Sequence, residues 1–347
     1  MKSRFVIFFL VLFVVCGLLL IQSCKKNQGA YADPPTPINF TIPPGFPAPT
    51  YSFQSNPLTE EGFLLGRKLF YDTRLSIDGT VSCGSCHQPV AAFTTFEHDR
   101  SHGVNHNHTL RNAPGLFNLA WYPYFNQDGS AASLPTVYVN HITNPIEMGE
   151  TVTSVINKIK DDSAYKRMFL QAFGTNEVTM VTISKALTQF LINLVSADTK
   201  YDKVMQGKAS FNTEEEDGFT VFKSKCETCH SGPLFTDFSL RNIGLAVDPS
   251  LNDFGRMRVT GNRSDSLKFR VPGLRNVEFT SYYGHDGRYN LPRGMIEHYG
   301  STVQQSPTLD PLLTNGISLS VADENNLVAF LSTLSDSAFL NNPRFRQ

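Results

Sequence analysis

Two pentapeptides carry side chains whose types and spacing could do chemistry together: Cys83-Gly84-Ser85-Cys86-His87 and Cys226-Glu227-Thr228-Cys229-His230. Cys-x-x-Cys-His is the attachment signature of c-type haem. Two thiols a short step apart can form thioethers to the two vinyl groups of one porphyrin. The histidine that follows is then held beneath the ring, where its imidazole can bind iron. A thioredoxin-like dithiol and a zinc site built from two Cys-x-x-Cys halves are the competing uses of such pairs. A redox dithiol rarely comes twice with His behind each copy, and zinc half-sites usually meet over a short loop. These two stand far apart in the chain, so the reading is two covalently bound haem c groups.

The chain has six cysteines, and the four in these motifs leave only Cys16 and Cys24. Both fall in an N-terminal segment that begins with Lys2 and Arg4, runs apolar from Phe5 to Ile21 and ends at Ser23-Cys24-Lys25-Lys26. That is the tripartite pattern of a secretory signal over residues 1–24. Ile21-Gln22-Ser23-Cys24 resembles a bacterial lipoprotein cleavage box, with Gln22 an imperfect match. Cys24 would become the lipidated N-terminus and tie the protein to a membrane in the periplasm; an uncleaved apolar anchor is the alternative. Residues 25–57, rich in Pro, Asn and Thr, read as a tether. The remainder is long enough for two domains with their own cores. A formal net charge of −1 without a basic stripe argues against nucleic acid as a partner.

The elements that must position the motifs look duplicated. Thr59-Glu60-Glu61-Gly62-Phe63 precedes the first motif and Thr213-Glu214-Glu215-Glu216-Asp217-Gly218-Phe219 the second. Thr213 with Glu216 has capping-box spacing. Phe93-Thr94-Thr95-Phe96 is answered by Phe235-Thr236-Asp237-Phe238, Pro114-Gly115-Leu116 by Pro272-Gly273-Leu274, and Asp128-Gly129 by Asp286-Gly287. Helical periodicity runs through Val152, Val155, Ile156 and Ile159. It runs again from Ile183 to Leu194 behind Thr182 as N-cap, and through Leu327, Phe330, Leu331 and Leu334 behind Ser320. The expectation is a mainly α protein: two cytochrome c-like haem domains in tandem, 58–200 and 201–347, with long irregular loops.

With these residues in view, the sequence resembles the bacterial di-haem cytochrome c peroxidases and their MauG-type relatives. Beyond the haem motifs the resemblance rests on Leu65-Gly66-Arg67-Lys68-Leu69-Phe70-Tyr71-Asp72, Leu75-Ser76, Arg111-Asn112-Ala113-Pro114 and Asn144-Pro145-Ile146-Glu147-Met148. Leu274-Arg275-Asn276, His285-Asp286-Gly287 and His298-Tyr299 continue it. It implies an all-α enzyme that reduces hydrogen peroxide at the N-terminal haem while the C-terminal haem takes in electrons. His87 and His230 would be the proximal ligands. Glu147 matches the distal acid–base glutamate that moves a proton between the peroxide oxygens. Four of the nine histidines lie between His98 and His108. His102 there best matches a loop ligand that caps the first haem at rest in some relatives, with His106 second; a solvated loop or an incidental metal site is the rival reading.

Tyr299 stands where the peroxidases of the family carry Met, as in MauG. A hard, anionic phenolate would lower the potential of the second haem. Met295 and His298 lie nearby as alternative ligands. Asn126-Gln127-Asp128-Gly129 replaces Phe-Trp-Asp-Gly, so the aromatic residue between the haems is missing, and Trp121 need not compensate. Val137 replaces a family glutamine near the distal pocket. The resemblance also implies an interdomain calcium ion held by the Asn112 side chain and the carbonyls of Thr280 and Tyr282.

The function expected is a peroxidase that reduces hydrogen peroxide to water, supplied by a small periplasmic donor, a cytochrome c or a cupredoxin; a homodimer is left open. The alternatives are a MauG-type oxidase of a protein or organic substrate, and a non-catalytic di-haem electron-transfer protein.

Overall fold

Apolar stripes at helical spacing and well-placed capping residues divide the chain into helices joined by long loops. The structure, a computed structural model, describes residues 33–347. The signal segment, Cys16, Cys24 and the first part of the expected tether lie outside the described residues. Among the described residues, helices of six residues or more are α1 (Glu60–Phe70), α2 (Leu134–Thr143), α3 (Val152–Ile159), α4 (Ser163–Phe173), α5 (Met180–Ile192), α6 (Lys200–Met205), α7 (Thr213–Lys225), α8 (Pro292–Ser301) and α9 (Val321–Ser332). Among them, none is long and apolar enough to cross a membrane. The sheet described is a single antiparallel pair, β1 (Leu240–Arg241) and β2 (Phe269–Arg270), with Leu240 opposite Arg270. The mainly α reading holds.

Two helix crossings organise the molecule, and they are copies of each other. In the first half α1 crosses α5 so closely that a Cβ on Gly66 would overlap the Ala186 carbonyl and lie 2.9 Å from Phe190 Cβ. In the second half α7 crosses α9, and a Cβ on Gly218 would meet the Asn326 carbonyl and lie 2.9 Å from Phe330 Cβ. Phenylalanines fill the same places beside each crossing. Phe70 lies 5.1 Å from Phe190 and 6.0 Å from Phe93, while Phe222 lies 5.0 Å from Phe330 and 5.7 Å from Phe235. The glycine equivalent to Gly218 is therefore Gly66, one turn beyond the Gly62 suggested by the sequence echo. Gly62 instead makes room for the Gln189 side chain.

The later echoes are structural too. A backbone bridge joins Phe125 to Ala131 around Asp128-Gly129, and another joins Tyr283 to Tyr289 around Asp286-Gly287. Pro114 and Pro272, Asp128 and Asp286, and both ends of the two bridges are each 158 positions apart. A helix with proline at its start follows each bridge, α2 in one half and α8 in the other.

Two helix starts differ from the sequence expectation. The cap of α5 is Thr179, with Thr182 as its box partner, and the cap of α7 is Asn212, paired with Glu215. Ser320 caps α9 as expected. Part of the segment expected as a tether also differs, being tied to the first half from Thr36 onward. Ile38 donates its amide to Leu58 O at 2.9 Å. Phe40 and Phe46 lie 5.7 and 5.0 Å from Trp121, whose indole donates to Pro47 O at 2.8 Å. Aromatic residues buried against a core outweigh the loop-forming composition around them. At the other end, Phe339, Leu340 and Phe345 leave the second half and enter the first core. Arg111, on the loop after the first motif, binds Asp128 at 2.7 Å and Asp253 of the second half at 2.6 Å.

Candidate haem sites

In each half the motif follows directly on a glycine-crossed helix or its loop, which brings Cys-x-x-Cys-His against the phenylalanine cluster. The motif histidines are held in corresponding ways, each through Nδ1 by the carbonyl of an equivalent phenylalanine. His87 Nδ1 lies 2.8 Å from Phe93 O, and His230 Nδ1 lies 3.1 Å from both Phe235 O and Pro272 O. Phe93 and Phe235 both adopt positive φ, 62° and 54°, which turns their carbonyls toward the imidazole. A carbonyl can only accept, so Nδ1 carries the proton and Nε2 keeps a bare lone pair, the arrangement a metal-binding histidine needs. Burial pushes the His87 pKa down to about 4, against the Phe93 carbonyl that raises it, and lowers that of His230. Both are neutral imidazoles at ordinary pH. None of the four motif cysteines is paired in a disulfide, so all four thiols are available for thioether attachment. Burial raises every one, with Cys83 and Cys226 pushed up to about 12.

A cavity of about 580 Å³ opens beside the second motif, lined by Cys226, Cys229, His230, Met295 and Tyr299. Its polar wall is unfinished: Arg270 Nε and Nη1, Gln127 Oε1 and His285 Nδ1 are buried without a hydrogen-bond partner among the described residues. Unpaired buried donors are costly, so the two Arg270 nitrogens fit an anionic group that completes them, while Gln127 Oε1, an acceptor, calls for a donor instead. A haem, apolar in its ring and anionic at its propionates, has that character. Tyr299 opens into the cavity, and burial raises its hydroxyl with no hydrogen bond to offset it; the nearby thiols add to the rise. His298 is spent elsewhere, 2.8 Å from Thr302 Oγ1 and 2.9 Å from Ile243 O, so it is not free to ligate. Met295 faces the same cavity as Tyr299.

At the first motif the distal candidates separate. Glu147 lies close enough for its charge to act on Cys83, Cys86 and His87. One of its oxygens accepts from Asn144 Nδ2 at 2.8 Å, and the other meets His141 Nδ1. His102 is not brought in. Its imidazole is exposed, 4.5 Å from the ring of His98 and 4.3 Å from that of His108. Only its backbone approaches the site, with the carbonyl 3.9 Å from Cys86 Sγ. His106 is exposed as well. His141 is the residue that sequence reasoning missed. The 158-residue spacing of the echoes would have found it, because it pairs His141 with Tyr299.

The expected calcium positions, Asn112, Thr280 and Tyr282, border the cavity at the second motif. The Asn112 amide nitrogen is committed to Asp99 O at 2.8 Å. Among the described residues there is no cluster of three or more His, Cys, Asp or Glu suited to a metal ion. Trp121 stays in the first core, far from compensating for Gln127, whose amide donates to Asn112 O at 3.0 Å.

A family profile described as di-haem cytochrome c peroxidase matches residues 60–210. Across 334 residues the chain is 32% identical to the methylamine utilization protein MauG of Methylorubrum extorquens, covering 92% of each chain. The chain belongs to the di-haem cytochrome c peroxidase and MauG family. It is also similar to the cytochrome c551 peroxidase of Nitrosomonas europaea, at 33% identity over 78% of this chain and 79% of that one. Among solved structures, a MauG-like protein associated with microbial copper homeostasis superposes with a TM-score of 0.81, at 30% identity over 89% of this chain and 99% of the other. The di-haem peroxidase BthA of Burkholderia thailandensis shares the fold, with a TM-score of 0.71 at 20% identity. Membership in the di-haem family implies haem c as the cofactor, and the two motif sites described above fit it.

Proposed function

We propose that the protein reduces hydrogen peroxide to water at the N-terminal haem, with electrons passed through the C-terminal haem from a small periplasmic donor such as a cytochrome c or cupredoxin. In this reading Cys83 and Cys86 hold the first haem and His87 is its proximal ligand. Cys226, Cys229 and His230 do the same for the second, with Tyr299 as its sixth ligand. Each bound haem supplies an iron that exchanges electrons, and the first supplies the place where peroxide binds. The observation that carries the reading is Glu147, placed within electrostatic reach of Cys83, Cys86 and His87 and held by Asn144 and His141. A fixed carboxylate on the distal side would support, directly or through its hydrogen-bond partner, the proton transfer that O–O cleavage requires. Arg270 borders the second cavity with Nε and Nη1 unpaired and would supply a cationic partner to haem propionates there, while Arg241 on the same wall is held by Asp237 and Asp310.

The test is Glu147→Gln. Haem content and visible spectra should match the wild type while donor-supported turnover falls about a hundredfold or more. Near-normal turnover would remove the acid–base role.

Tyr299 supports a second reading, a MauG-type oxidase that draws electrons from a protein or organic substrate. Peroxide-dependent oxidation of such a substrate with no reduced donor present would favour it. Calcium at Asn112, Thr280 and Tyr282 belongs to the same proposal. Chelation should then slow electron transfer between the haems and added Ca²⁺ should restore it; indifference to chelation would remove the ion. Lipidation at Cys24 would place the enzyme at a periplasmic membrane surface, and Cys24→Ala should release it.

A further inference from the structure

His141 is left unexplained by the roles assigned so far. It lies on α2, the helix that follows the Phe125–Ala131 bridge, as Tyr299 lies on α8 after the Tyr283–Tyr289 bridge. The constant spacing of 158 makes His141 the counterpart of Tyr299, the residue that opens onto the second haem cavity. By the repeat, His141 therefore takes the place in its own half that Tyr299 holds beside the second motif. Its charge acts on His87, the proximal histidine of that half. Its side chain keeps 45% of its surface open, against 21% for Glu147. Both oxygens of Glu147 are already engaged, one by Asn144 and one by His141 Nδ1, so the more open group of the pair is the imidazole.

We propose that His141 is the distal acid–base group of the first haem and that Glu147 acts through it. This deepens the peroxidase reading and rests on it. An imidazole ends nearer its backbone than a phenol does. From the position where Tyr299 would reach an iron, His141 stops short and leaves space for peroxide. With Nδ1–H donated to Glu147, Nε2 is free. Nε2 takes the proton from one peroxide oxygen and returns it to the other, which leaves as water when the O–O bond breaks. Two electrons from the donor and two protons from solvent convert the remaining oxygen to a second water. The Glu147 carboxylate stabilises the transient imidazolium.

Glu147 is the titratable group bonded to His141, and His87, across the haem position, is the other whose charge interacts with it. Burial lowers the His141 pKa, but the hydrogen bond and charge of Glu147 outweigh it and raise the value. Only the neutral ring can accept a proton, so proton-coupled binding should weaken as pH falls through that raised value. The test is cyanide association with the ferric holoprotein as a function of pH, since hydrogen cyanide must give up its proton to bind. His141→Gln should slow association about tenfold or more and flatten the acid limb, with haem content unchanged. Glu147→Gln should keep an acid limb but move it to lower pH, and His102→Ala should change neither. A wild-type pH profile in His141→Gln would overturn the proposal. So would a low-spin ferric first haem that turns high-spin in that variant, which would make His141 an iron ligand instead. Failure of the peroxidase reading shows separately, as an intact cyanide profile without peroxide turnover.

Discussion

At the scale of single residues, the haem sites are set by what each imidazole and hydroxyl is bonded to. His87 and His230 are committed through Nδ1 to backbone carbonyls and have nothing on Nε2, whereas His298 has both nitrogens engaged. That difference leaves Tyr299 and Met295 as the side chains facing the second cavity. A phenolate stabilises ferric iron and a thioether stabilises ferrous iron, so Tyr299→Met should raise the potential of one haem by on the order of 100 mV or more. A spectroelectrochemical titration measures this; unchanged potentials would exclude Tyr299 as a ligand. The motif cysteines and histidines were legible from spacing alone, because thioether attachment dictates it. His102 is exposed, which the density of histidines from 98 to 108 could not show because it says nothing about direction; its ring packs edge-on to His98 and tilted against His108. His141 was passed over because a lone histidine on a helix has no local signal.

At the scale of elements, the crossings of α1 with α5 and of α7 with α9 depend on hydrogen at Gly66 and Gly218. A methyl group at either would collide with backbone, which cannot step aside as a flexible side chain can. Gly66→Ala and Gly218→Ala should each destabilise the fold by about 1–3 kcal/mol or more, read from denaturant unfolding. A loss confined to one of them would argue against the equivalence of the crossings. Helix existence was legible from apolar spacing, and helix starts were less so. In α5 the first turn carries Val181, which is exposed, so the buried stripe begins only at Ile183 and the Thr179 cap left no periodic trace. In α7, Asn212 with Glu215 and Thr213 with Glu216 have the same spacing. Tertiary contact separates them, since Glu215 also pairs with Lys200 at 2.6 Å.

At the scale of the molecule, the chain ends tie the two halves together and a buried ion pair braces the second half against the N-terminal segment, neither of which shows in local composition. Arg275 binds Asp202 at 2.6 Å and Pro233 O at 2.6 Å, and its guanidinium lies 4.8 Å over the ring of Phe46 from the N-terminal segment. Burial alone would raise the Asp202 pKa, but Arg275 and the Thr199 hydrogen bonds outweigh it and hold the carboxyl below its usual range. A depressed carboxylate stabilises the fold fully above its unfolded pKa, and the contribution is lost as pH falls through the lower folded value. Asp202→Asn leaves Arg275 buried without its counter-charge and should cost about 3–5 kcal/mol near neutral pH, with the deficit shrinking in acid. Equal deficits at neutral and acidic pH would contradict this. On the proposed peroxidase reading, peroxide takes two electrons from this chain at the first haem. The most direct measurement mixes the fully reduced holoprotein with one equivalent of hydrogen peroxide, without oxygen, and counts electrons. The account predicts rapid loss of both electrons and of the peroxide, and a much slower loss in Glu147→Gln. Persistence of peroxide beside reduced haems, or reoxidation of Glu147→Gln at the wild-type rate, would contradict it.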